Sequence, residues 1–115
     1  MSDIKRLNPE PRMSQAVIHG GLVWLAGQVG APGESVTAQT EAVLARIDAL
    51  LADAGTNKSR LLQTTIWLSS VDDFAEMNAV WDAWIDPANP PTRACGGSRL
   101  ATPDYKVEII VVAAL

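Results

Sequence analysis

The sequence predicts a two-layer α+β domain: a mostly antiparallel sheet of about six strands, with two helices packed on one of its faces. Two observations carry the prediction. Short β-branched or alternating runs and longer runs of helical period follow one another as strand, strand, strand, helix, strand, helix, strand, strand. Both helical runs have a single apolar stripe, so each needs one surface to cover it, and a sheet provides that surface. At 115 residues the chain (1–115) is expected to be a single domain with one core.

Residues 3–7 read as an edge strand, and Asn8-Pro9-Glu10-Pro11 is expected to break it, because proline lacks a donor and restricts its predecessor. Residues 15–19 and 22–28 flank Gly20-Gly21, and two glycines supply the positive φ of a tight hairpin turn. Gly27, Gly30 and Gly33 lie between that strand and a helix. Their spacing is not G-x-G-x-x-G and no Gly-Lys-Ser/Thr follows, so a strand-to-helix turn is favoured over a phosphate loop.

Residues 36–54 place Thr40, Val43, Leu44, Ile47, Leu50, Leu51 and Ala54 at helical spacing, with Gly55 as the stop. Residues 61–68, rich in Thr, Ile and Trp, read as a strand. A second helix is expected over 71–85, capped by Ser70, with Asp72 and Asp73 in its first turn, where the helix dipole favours acids. Its apolar stripe is Phe74, Met77, Trp81 and Trp84 or Ile85, and Pro87, Pro90 and Pro91 end it.

The last quarter carries the chemistry. Residues 107–115 are almost wholly apolar, which reads as a strand covered on both faces, and Glu108 sits inside it. A carboxylate there needs a positive or hydrogen-bonding partner, and Arg93 on the preceding strand is the candidate. If the two strands form a hairpin through 99–104, Cys95 lies opposite Glu108, and Arg93, Cys95, Gly97 and Glu108 share one face. Ile110 and Val112 would lie on that same far face, beside Trp24 or Trp67. An apolar face of this kind marks an interface, and the simplest cover is another copy of the chain.

Net charge is −4 with no cluster of Lys and Arg, which disfavours nucleic acid as a partner. Neither a signal-peptide core nor a run of about 20 apolar residues is present, so a cytoplasmic protein without membrane partners is expected. One cysteine and one histidine preclude an internal disulfide and leave too few soft ligands for a zinc site, so no metal is expected.

Ser14-Gln15-Ala16-Val17, Ala26-Gly27-Gln28-Val29, Asp73-Phe74-Ala75-Glu76-Met77-Asn78, Pro91-Thr92-Arg93-Ala94-Cys95 and Val107-Glu108-Ile109 with the terminal Ala113-Ala114-Leu115 together span nearly the whole chain. In this order and spacing they resemble the RidA (YjgF-type) family of reactive intermediate deaminases, nearer its YoaB-like branch. The resemblance implies a chorismate-mutase-like subunit in a homotrimer with a central barrel and clefts between subunits. It implies hydrolysis of enamines and imines derived from amino acids to 2-oxo acids and ammonia, with no cofactor.

On that resemblance Arg93 holds the substrate carboxylate and Glu108 positions or activates the attacking water. Main-chain groups near Gly27 and Cys95 complete the pocket, and Asn78 falls at a further recurring position. The chain departs from the deaminase pattern in three places: Met13 replaces a tyrosine, Ala26 a serine, and Val29-Gly30 the usual Ile-Pro.

Alternatives stand beside this reading. Arg93 and Glu108 are also explained as a structural interface pair. Cys95 reads better as a packing residue than as a nucleophile, with no histidine near it in the pattern. A non-catalytic trimer that binds small carboxylates, with a regulatory role, is the second functional class. An endoribonuclease or translation inhibitor is the weakest, for want of a histidine pair or basic stripe.

Overall fold

The computed structural model describes residues 3–115. Met1 and Ser2, the start of the N-terminal stretch expected to lack a signal-peptide core, lie outside the described residues. The elements follow the predicted order: β1 (Lys5–Pro9), β2 (Ser14–His19), β3 (Leu22–Leu25), α1 (Val36–Ala54), β4 (Leu61–Leu68), α2 (Phe74–Trp84), β5 (Thr92–Gly97) and β6 (Val107–Ala114). All six strands join one sheet in the spatial order β1-β2-β3-β6-β4-β5. Every neighbouring pair is antiparallel except β4 with β5.

Local chemistry sets most boundaries. The β2–β3 hairpin turns on Gly20 and Gly21 at φ 60° and 81°, closing on the His19–Leu22 pair. Helix α1 starts at Ser35, whose hydroxyl accepts from the Ala38 amide at 3.1 Å, and stops at Gly55, which takes the left-handed φ of 88°. Two boundaries differ from the sequence reading. Strand β1 runs on through Asn8, held at φ 48°, to a last pair between Pro9 and Ser14; as the sheet edge it does not need the missing amide. The second helical run is split, because Ser70 caps a short 3₁₀ turn, Val71–Asp73, before α2 begins.

The core lies between the helices and one face of the sheet. Val43, Leu44, Ile47 and Leu51 of α1 and Met77 and Trp81 of α2 pack over Val23, Ile66, Leu68, Val107, Ile109 and Val111. The alternate residues point away: Trp67, Glu108, Ile110 and Val112 are half-buried and Trp24 is 41% exposed. The described residues span 20 Å in their thinnest dimension, room for one sheet and one helix layer, so among them no element covers this far face. Among the described residues no helix is long and apolar enough to cross a membrane.

The expected hairpin between the last two strands does not form. Strand β4 lies between them, antiparallel to β6 and parallel to β5. The physical reason is the helix before β5: strand, helix and strand in succession make a crossover unit, which delivers β5 parallel to β4 at the sheet edge. Residues 98–106 then span β4, pinned by the Ser98 amide on the Leu68 carbonyl at 2.9 Å and the Ser69 amide on the Lys106 carbonyl at 3.0 Å.

Fully buried Gln39 of α1 fixes this crossover. Its amide donates to the carbonyls of Glu34 at 3.0 Å and Asp104 at 2.9 Å, while its oxygen accepts from the Lys106 amide at 2.8 Å. Gln39→Leu keeps the volume but orphans a buried N–H and weakens the carbonyl contacts. It is expected to destabilise the fold by roughly 2–4 kcal/mol. Urea unfolding should show a lower midpoint at unchanged slope; a loss under about 0.5 kcal/mol would mean that water replaces the amide.

Candidate active site in two halves

Glu108 and Gly27 meet on the far face. Strands β3 and β6 pair Trp24 with Val112, yet the bridge beyond pairs Gln28 with Ile109. Four steps on one strand match three on the other, so one extra residue is accommodated around Ala26 and Gly27. Glu108 fills the space this opens. A Cβ on Gly27 would lie 2.7 Å from Glu108 Oε2 and 2.9 Å from its carboxyl carbon, so only glycine lets the carboxylate lie against this backbone. Trp67, paired with Glu108 across β4, extends this half towards β5, where its ring comes within 3.3 Å of where a Gly96 Cβ would stand.

Arg93 is on the other face. It pairs with Thr64, which is buried towards the helices. Its guanidinium donates to Asn78 Oδ1 at 2.7 Å and lies 5.5 Å from the Trp81 ring centroid and 5.8 Å from that of Phe74. Phe74, Asn78 and Trp81 are spaced four and three apart, one face of α2, so the helix holds the guanidinium by a hydrogen bond and two aromatic rings. One of its five N–H groups is taken by Asn78, and the side chain is exposed at the open edge of the sheet. A guanidinium held in this way with N–H groups left over has the donor geometry that suits a carboxylate.

Cys95 shares the helix face with Arg93, pairs with Ile66 and packs against the core. Burial pushes its thiol above the ordinary range, opposed by the charge of Arg93. A thiol so placed is a packing group, and the expectation that it faces Glu108 is corrected with the hairpin.

The five expected site residues therefore fall into two groups, Glu108 with Gly27 and Arg93 with Asn78 and Cys95. Arg93 and Glu108 are two strand spacings and three residues apart, roughly 14 Å between Cα atoms, on opposite faces. No molecule of a few heavy atoms touches both within one chain. Trp67, Phe74 and Trp81 were not singled out as site residues from sequence. Their signal is the pairing of Trp67 with Glu108 and the helical spacing of the other two around Asn78. Among the described residues no group of three or more His, Cys, Asp or Glu side chains is arranged to hold a metal.

Residues 3–115 match the family described as Endoribonuclease L-PSP. A RutC family protein of Haemophilus ducreyi is 42% identical over 113 residues, 97% of either chain. The chain belongs to the RidA (YjgF-type) family. Its relatives include the RutC family protein YoaB of Escherichia coli, 41% identical over 97% of this chain and 98% of that one. The crystal structure of NMB1025 from Neisseria meningitidis, a YjgF family member, is 45% identical and superposes with a TM-score of 0.95 over 97% of this chain and 94% of the other. The two half-sites of this RidA-family chain thus sit on the family fold.

Proposed function

We propose that the chain forms a cytoplasmic homotrimer in which Arg93 of one copy and Glu108 of the next close on a small carboxylate, and that this cleft hydrolyses amino-acid-derived imines and enamines. The observation that carries the reading is the division of the site. An arginine with free donors stands at an open sheet edge, and a carboxylate lies on an apolar face that the described residues leave uncovered. A second copy laid on that face completes both.

The chemistry asks for little more. An iminium carbon is already electrophilic, so holding the substrate carboxylate and aiming one water suffices. The water oxygen bonds to that carbon, its protons pass to Glu108 and the nitrogen, and the carbon–nitrogen bond breaks to leave a 2-oxo acid and ammonia. Main-chain groups at Gly27 border the carboxylate, and Asn78 orients the arginine fork. Met13 and Ala26 stand where deaminases of the family carry hydroxyls, which should alter rate and selectivity more than mechanism. A net charge of −4 and a single histidine oppose the ribonuclease reading.

The test is ammonia release from a panel of amino-acid-derived imines, wild type against Arg93→Ala. Acceleration by wild type alone supports the reading. If no imine is turned over but 2-oxo acids bind through Arg93, the protein is a carboxylate-binding module instead.

Two expected results arise from this assembly. Light scattering after gel filtration should give three times the chain mass; a monomer at micromolar concentration removes the cleft. Arg93→Lys should weaken 2-oxobutanoate binding by about 1–3 kcal/mol, because an ammonium cannot offer a bidentate fork. Calorimetry measures this, and unchanged affinity makes Arg93 structural.

A further inference from the structure

A second cavity lies apart from both half-sites, under the crossover of residues 98–106. It has a volume of about 390 Å³ and is lined by Arg99, Ser69, Thr102 and Tyr105, with Leu100 and Pro103 among its apolar walls. Three features set it apart from a chance surface hollow.

The first is charge. Two other cavities pair each cation with acids: Lys58 with Glu41 and Asp48 between the helices, and Arg46 with Asp53 beside β1. Here Arg99 is the sole charged group of the lining, in a chain whose net charge is −4. Asp104, the loop's one acid, is not among the lining residues. The second is rigidity. Gln39 clamps the Asp104 carbonyl and the Lys106 amide, the Gly33 amide also donates to Asp104 at 2.9 Å, and the Tyr105 amide closes on Thr102 at 3.2 Å. These bonds hold residues 102–106, so the Tyr105 side of the cavity has little ordering left to do on binding. The third is the donor set: the lining includes one guanidinium and the hydroxyl-bearing Ser69 and Tyr105, donor types that suit an oxyanion, with Leu100 and Pro103 to accept a short carbon body.

We propose that this cavity is a binding site for a small oxyanion, a carboxylate or a phosphate on a short apolar body, held by Arg99 and separate from the site of Arg93 and Glu108. Tyr105 is the chain's only tyrosine, so ring-labelled tyrosine gives one resonance at the cavity. Inorganic phosphate and 2-oxobutanoate would be titrated separately, which distinguishes the two sources of the oxyanion. At least one should shift the Tyr105 resonance saturably, Arg99→Gln should weaken that binding at least tenfold, and Arg93→Ala should leave it within about twofold. Arg99 is exposed on a loop, and a backbone amide spectrum confirms that the variant keeps the fold. No saturable shift with either anion, a shift that Arg99→Gln leaves intact, or one that vanishes in Arg93→Ala overturns the proposal. Because the readout is binding at Tyr105, failure of the deaminase reading leaves this test intact.

Discussion

Glu108→Gln should lower imine turnover about 10²–10⁴-fold while 2-oxo acid affinity stays within a few-fold. Glutamine keeps the shape of the side chain against Gly27 but cannot take a proton from water. The carboxylate of the substrate is assigned to Arg93 on the other half-site, so binding has no reason to follow turnover. Single-turnover ammonia release gives the first quantity and calorimetry with 2-oxobutanoate the second. Equal loss of both would mean that Glu108 holds the assembly together and does not handle water; unchanged turnover would remove it from the reaction.

Gly27→Ala should cost about 10²-fold in turnover with little loss of stability. The added Cβ would stand 2.7 Å from Glu108 Oε2, closer than a non-bonded contact allows. What must move is the end of a flexible side chain on a half-buried face, so the carboxylate shifts while the core stays packed. A displacement near 1 Å at a catalytic group carries a penalty of this size. Thermal unfolding and turnover measured on the same sample separate the outcomes. A large drop in Tm would show that the extra residue near Gly27 cannot absorb the methyl, and normal turnover would place the active carboxylate elsewhere. Gly27→Ala combined with Glu108→Gln should be no worse than the worse single variant, because both act through one side chain.

The residues that decide the candidate site were legible in unequal degree. Arg93 and Glu108 were conspicuous because a charge in or beside an apolar strand needs a reason. Asn78 was visible only through the resemblance, and its hydrogen bond to Arg93 supplies the physical role. Trp67 is legible as a far-face residue beside Glu108, and Trp81 as a core residue; the closeness of Trp81 to the guanidinium depends on where β5 docks.

By itself the sequence determined what is local. Glycine-permitted φ placed the β2–β3 hairpin and the end of α1, apolar period placed the helices and most strands, and two single-faced helices required a two-layer fold. Strand order was decided only by tertiary structure. Residues 92–97 satisfy their backbone equally well beside β6 or beside β4, and alternation within a strand cannot choose between them. The choice falls to α2, which must cover the sheet and carries β5 to the edge with it. That placement puts Arg93 and Glu108 on opposite faces, because β5 takes its facing from β4 and the helix above, not from β6.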